Sequence, residues 1–187
     1  MKNIAIFASG TGSNATKIVA HFKGHSTIKV ALIISNKATA PVLQMAASHD
    51  IPTLLIKRKP FYESEQLLED LASHSINFIA LAGFLWLIPP YLVKAYDQRM
   101  VNIHPALLPK YGGKGMYGMN VHQAVYENQD QESGITIHYV NEHYDEGSGV
   151  FQASCGIDAA DDSAAIRSKV LRLEHYYFPR IIELLLV

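Results

Sequence analysis

The sequence predicts an α/β protein, a doubly wound and mostly parallel sheet with an antiparallel C-terminal extension. Three observations lead there. Short apolar runs of strand length alternate with amphipathic stretches of helical period as far as residue 104. A glycine turn, Gly10-Thr11-Gly12, follows the first run directly. Past residue 130, two alternating segments follow each other with only a polar loop between them, the pattern of an antiparallel pair.

The elements follow in order. Residues 3–8 form a buried-strand run, and 13–22 read as a helix behind the glycine turn. A second strand at 28–34 ends at Ser35-Asn36, and a helix from 41 to about 49 opens on Pro41, whose missing N–H is no loss in a first turn. Residues 53–56 make a short third strand. The stretch from 62 to about 73 carries Leu67, Leu68 and Leu71 on one face and predicts one helix. A fourth strand at 77–82, a helical piece at 90–95 and a fifth strand at 101–104 close the parallel series. Residues 107–120 read as a loop rich in glycine and tyrosine. Strands at 134–140 and 150–157 precede a long closing helix at 161–186, initiated by Asp162 or Ser163. No linker, repeat or low-complexity segment appears, so one domain over 1–187 is expected.

The 187 residues are 49% hydrophobic and 18% charged, with a net charge of −1, an ordinary globular composition. That length buries about 70% of the unfolded surface. Near-neutral charge leaves no electrostatic footprint for nucleic acid or an anionic membrane. No run of about 18 apolar residues reads as a membrane span, and the N-terminal run enters the glycine turn too soon for a signal peptide. The single cysteine, Cys155, rules out an internal disulfide framework and suits a reducing cytoplasm.

Most chemistry is concentrated in Val101-Asn102-Ile103-His104-Pro105. Residues two apart on a strand share a face, so Asn102 and His104 project together. Pro105 and Pro109 end the strand there, leaving both polar heads at the carboxyl edge, where open α/β sheets bind ligands. An Asn and a His before a proline turn also serve as plain loop hydrogen-bonders, and the segment alone leaves both readings open.

In the glycine turn, Gly10 and Gly12 let the backbone approach a ligand, and Ser13 and Asn14 are good N-cap residues whose amides can face an anion. A side chain at Gly12 is expected to intrude on a bound phosphate. Gly10-x-Gly12-x-x-Ala15 also fits a loose dinucleotide fingerprint, but the second strand ends Ile34-Ser35-Asn36-Lys37, without the carboxylate a nicotinamide dinucleotide wants. A phosphomonoester fits better, with a ligand-free turn as the plain alternative. Leu85, Trp86, Leu87 and Ile88 can wall a slot for a flat heteroaromatic ring or simply form a hydrophobic crossover. Asp145 is either a turn former or a carboxylate that orients His104 and, by opposite charge, raises its pKa. Glu174 could bond substrate hydroxyls or be a solvated helix residue, and Thr136 and His138 share a strand face with their roles open. The remaining histidines show no ligand spacing beside a third donor, so no metal is expected.

Taken together, Ser9-Gly10-Thr11-Gly12-Ser13-Asn14, Ser35-Asn36-Lys37, Leu81-Ala82-Gly83-Phe84, Asn102-x-His104-Pro105 and Asp145 resemble the phosphoribosylglycinamide formyltransferases, over nearly the whole chain and in one order. The resemblance implies a Rossmann-like formyltransferase fold and formyl transfer from 10-formyltetrahydrofolate to glycinamide ribonucleotide, in purine synthesis. It implies catalytic roles for Asn102, His104 and Asp145, and ribonucleotide binding by Gly10, Thr11, Gly12, Ser13, Asn14 and Glu174. Leu85, Trp86, Leu87, Ile88, Asn102, Val140, Asn141 and Tyr144 would enclose the folate. No metal, nucleic acid or membrane is implied, and the enzyme would act as a monomer or homodimer. The chain departs from the family at Ala106, where serine is common, and at Trp86, where a basic residue is common; no basic folate contact is found at 60–64. The rival readings are a formyltetrahydrofolate hydrolase, whose relatives usually carry a further N-terminal domain, and a methionyl-tRNA formyltransferase, which wants a basic RNA-binding extension. A non-catalytic phosphometabolite-binding module on the same fold is a third.

Overall fold

Seven strands form one sheet in the order β3-β2-β1-β4-β5-β6-β7. The computed structural model describes residues 1–187. The strands are β1 (Lys2–Phe7), β2 (Ile28–Ser35), β3 (Thr53–Leu55), β4 (Phe78–Leu81), β5 (Met100–His104), β6 (Glu132–Tyr139) and β7 (Gly149–Gly156). The helices are α1 (Ser13–Phe22), α2 (Pro41–Ser48), α3 (Arg58–Glu63), α4 (Gln66–Ser73), α5 (Pro90–Ala95), α6 (Met119–Glu127) and α7 (Ser163–Leu186). The first five strands pair in parallel, while β6 runs antiparallel to β5 and β7 antiparallel to β6. This is the predicted doubly wound sheet with its antiparallel extension.

Alternation along β1 builds two cores. Ile4, Ile6 and Ala8 face α1, α2, α6 and α7, where they meet Ile18, Val42, Val125 and Phe178. Ala5 and Phe7 face the other way, toward Phe61 of α3, Leu71 of α4 and Leu92 of α5. With helices on both faces the central strands β1, β4 and β5 are buried over most of their length, while edge strand β3 stays exposed or half-buried. Val101 and Ile103 of β5 enter the first core, which leaves Asn102 and His104 on the opposite face. The chain runs outward from β1 to β3 and returns beside β1 as β4, so the β1–β4 boundary is the switch point where such sheets open a crevice.

Two local expectations give way. The stretch expected as one helix from residue 62 is two, α3 and α4, because the Ser64 amide and Oγ both donate to the Pro60 carbonyl and Ser64 turns extended. Residues 119–127, not anticipated as a helix, form α6 behind Gly118, whose φ of 56° ends the glycine-rich loop. Only Val121, His122 and Val125 of α6 are buried, too narrow a stripe to stand out beside that loop. At the other end Asp162 caps α7 as expected, accepting from the Ala165 amide at 2.8 Å. No helix is long and apolar enough to cross a membrane.

Candidate active site

The two loops at the switch point are tied together. The Ser9 amide donates to the Gly83 carbonyl at 3.0 Å, and Ser9 Oγ accepts from the Leu85 amide at 3.0 Å. Gly12, with φ of 73°, is the N-cap of α1, and no side chain caps the helix. Ser13 and Asn14 are therefore in the first turn and not at the cap, and the free amides of that turn remain for an anion. Asn14 instead donates to Glu174 at 2.5 Å, drawing α7 against the loop. The two glycines, given one role in the sequence, differ in their surroundings. A Cβ at Gly12 would lie 2.4 Å from Val42 Cγ2, so that position is bare for packing against α2; a Cβ at Gly10 meets nothing within 4 Å. Gly10 is the glycine that leaves room for a ligand.

The antiparallel register of β5 and β6 places His138 directly opposite Asn102, and Asn102 Nδ2 stands 3.1 Å from His138 Nε2. His138 Nδ1 donates to the Tyr139 carbonyl at 2.8 Å, which leaves Nε2 facing both Asn102 and the Asp145 carboxylate. Asp145 swings in from the β6–β7 loop, its backbone left-handed at φ of 58°, a conformation Asp tolerates better than most residues. Its carboxylate lies 3.3 Å from Asn102 Nδ2, 3.4 Å from His104 Nδ1 and 3.5 Å from His138 Nε2, and accepts from the Gly113 amide at 3.0 Å. The three residues singled out in sequence thus meet, and His138 completes a four-residue cluster.

The charge of His104 departs from expectation. Its side chain is 4% exposed, and burial pulls the imidazole below its ordinary pKa. The Asp145 carboxylate and the Tyr111 carbonyl push it back only in part, and His138 adds to the lowering. Burial pushes the Asp145 carboxyl up, but the bond with His138, the His104 ring and the Gly113 amide together hold it below the usual range. In the resting site Asp145 is ionised and His104 is biased toward neutrality, its Nε2 2.7 Å from the Tyr111 carbonyl.

A cavity of about 350 Å³ runs across this cluster. Residues 10–14 and Glu174 line it, as do Leu85, Trp86, Leu87, Ile88, Val140, Asn141 and Tyr144. Burial pushes the Glu174 carboxyl upward, against the opposing pull of its bond from Asn14 and of Arg167. The Arg58 guanidinium sits 5.5 Å from the Tyr62 ring and 5.7 Å from the Trp86 ring, a cation packed over two aromatic faces. Thr136, left open in sequence, is a brace. Its hydroxyl donates to the Ala106 carbonyl at 2.7 Å and accepts from the Leu108 amide at 3.0 Å, fixing the turn after His104.

Several lining residues were not legible in sequence: Lys114 and Tyr117 of the glycine-rich loop, His122 of α6, and Arg167 of α7. One histidine pair also corrects the sequence reading. His21 and His25 stand four apart, and Glu183 reaches both, at 2.7 and 3.3 Å. His25 Nδ1 already accepts from the Thr27 and Ile28 amides, so its Nε2–H is committed as a donor to the carboxylate. That trio clasps α1 to α7 and is not a ligand set.

The pattern that defines the formyl transferase family matches residues 2–182. This chain belongs to that family. It is 40% identical over 187 residues to the chloroplastic phosphoribosylglycinamide formyltransferase of Arabidopsis thaliana, covering 97% of this chain and 64% of that protein. The Vigna unguiculata counterpart is covered to 61%, so the chain spans less than two thirds of either plant relative. The Bacillus subtilis phosphoribosylglycinamide formyltransferase is 35% identical, with 100% of this chain and 95% of that one aligned. Among solved structures, glycinamide ribonucleotide transformylase 1 from Geobacillus kaustophilus superposes with a TM-score of 0.89 at 33% identity, over 100% of both chains.

Proposed function

We propose that this formyl transferase moves the formyl group of 10-formyltetrahydrofolate onto the amine of glycinamide ribonucleotide, a step of purine biosynthesis. The observation that carries the reading is the position of the Asn102–His104–Asp145 cluster. It shares one cavity with a turn of free helix amides suited to a phosphate and with an apolar wall suited to a flat ring. The names of the full-length bacterial relatives support the same assignment.

In this mechanism the ribonucleotide phosphate takes the amides of the α1 first turn, and Glu174 bonds the ribose. The pterin lies against residues 85–88 and Val140, and Arg58, packed against the Trp86 ring, is available for a carboxylate of the folate tail. The glycinamide nitrogen attacks the formyl carbon, forming the new C–N bond while the carbonyl oxygen gains charge. Asn102 Nδ2 and the His104 N–H donate to that oxygen, contacts worth about 10²–10³ each in rate. Because His104 starts close to neutral with Nδ1 facing Asp145, the proton the amine loses can reach that nitrogen through the Asp145 carboxylate. Asp145 stabilises the resulting imidazolium, which returns a proton to the departing folate nitrogen as the old C–N bond breaks, general acid–base work worth about 10²–10⁴. Holding both substrates at attack distance supplies much of the remainder.

Mixing the protein with both substrates and following folate deformylation optically tests this. Deformylation that requires the ribonucleotide is the expected result. Equal deformylation without it would make the protein a hydrolase, and none with either would leave a binding module.

A further inference from the structure

His122 lines the cavity at 4% exposure, and neither of its ring nitrogens hydrogen-bonds to the protein. Nδ1 is sealed without a partner; Nε2 is not so sealed, on a ring that lines the cavity. A buried polar group without a partner is destabilising, and in folded proteins nearly all find one in protein, water or ligand. Its neighbours on α6, Val121 and Val125, have ordinary reasons to be buried, since they are apolar. His122 has none of that kind.

The surroundings decide what the ring can offer. Burial first, then Arg167 and His104, push its pKa down to about 4, so the imidazole is neutral in any physiological buffer. A neutral ring has one N–H and one lone pair, and an unpaired N–H is the costlier of the two to bury. That leaves the lone pair on sealed Nδ1 and the hydrogen on Nε2. Position adds the rest. Arg167, one of the charges acting on His122, also acts on Glu174 two helical turns along the same face of α7, and Glu174 holds Asn14 of the phosphate-suited turn. His122 therefore lines the same cavity as His104, Glu174 and the phosphate-suited turn, near enough to feel the charges of Arg167 and His104.

We propose that His122 is a further acceptor-binding residue, whose Nε2–H donates to an oxygen of the neutral ribosyl-glycinamide arm and so aims the amine at the formyl carbon. This rests on the acceptor named under the proposed function. An uncharged donor suits the hydroxyl and carbonyl oxygens of that arm, while the phosphate is left to the amides of α1. The empty valence of the resting ring is then a binding determinant held ready at the expense of stability.

The test uses His122→Phe and His122→Gln in the full chain. In the Phe variant, the Kd of glycinamide ribonucleotide measured alone by calorimetry, and its KM, should rise about ten-fold, the loss of one neutral hydrogen bond. The KM for the formyl donor should stay within about two-fold, and the melting temperature should hold or rise, because no polar atom is left orphaned. Gln, which can set an amide N–H near the place of Nε2, should recover most of the affinity. Unchanged ribonucleotide affinity in a folded Phe variant overturns the proposal. Should that variant not fold, the wild-type His122 Nε2–H resonance decides. It should shift on adding ribonucleotide and not on adding formyl donor, and a resonance unmoved by saturating ribonucleotide overturns the proposal equally. Failure of the wild type to bind ribonucleotide at all overturns the proposed function, and this assignment with it.

Discussion

Gly147→Ala should disable the site without removing any reacting group. A Cβ at Gly147 would stand 1.7 Å from the Tyr139 carbonyl oxygen, 2.7 Å from the carbonyl carbon and 3.4 Å from His138 Nδ1. Both obstacles nearest the new methyl are backbone, so the chain must part by at least about 1.3 Å to restore even a tight 3.0 Å contact. Gly147 is two residues from Asp145, whose carboxylate holds His104, Asn102 and His138 at 3.3–3.5 Å, with nothing to spare within bonding reach. The same push acts on the Tyr139 carbonyl that orients His138. A misplacement of about 1 Å at a catalytic group costs about 10²-fold, so kcat should drop by that order. The Kd of the ribonucleotide, bound at the α1 turn, should hold. Gly149→Ala is the control, since its Cβ meets nothing within 4 Å. Steady-state deformylation kinetics with calorimetric binding of the ribonucleotide measure both. A Gly147→Ala enzyme within about three-fold of wild-type kcat would refute the reasoning, because the chain would have absorbed the methyl without moving Asp145.

Three other outcomes are expected. His104→Ala and Asp145→Asn should each lower kcat by about 10²–10⁴ while ribonucleotide binding persists; Asn tolerates the left-handed backbone at 145, and wild-type turnover in both variants would end the assignment of the cluster. Gly10→Val should weaken ribonucleotide binding in a titration, whereas Gly12→Ala should chiefly lower the melting temperature by colliding with Val42; the reverse pattern would restore the role first expected of Gly12. The stability that His122 contributes should be constant above pH 6.5 and fall between 6.5 and about 4, because there the unfolded His122 binds a proton that the folded one refuses; His104 and His175, also held low, add to the same fall. Thermal melts of His122→Phe should show a shallower fall over that window, and an identical slope would contradict the buried neutral ring.

The strands and their change from parallel to antiparallel were readable because apolar runs alternate with helices as far as residue 104 and then follow each other directly; the order of the strands in the sheet was not. Asn102 and His104 were readable from period-two alternation, two residues apart at the end of β5. Asp145 was placed with them only through the family resemblance, since nothing local distinguishes it from a turn former. The charge of His104 could not be read from sequence, where a neighbouring carboxylate can be guessed but the depth of burial that outweighs it cannot. Gly10 and Gly12 look equivalent in the sequence, and only the packing of Val42 of α2 separates them. His122 was invisible because α6 was, its three buried positions lost beside a loop of glycines.

At rest, the Tyr111 carbonyl and Gly113 amide occupy the polar heads of His104 and Asp145 that the chemistry would use. Substrates must compete with the protein's own backbone for those partners. Measured affinity is then intrinsic affinity discounted by the fraction of molecules in which residues 111–113 stand aside. Loosening that segment would tighten apparent binding even though it adds no contact to either substrate.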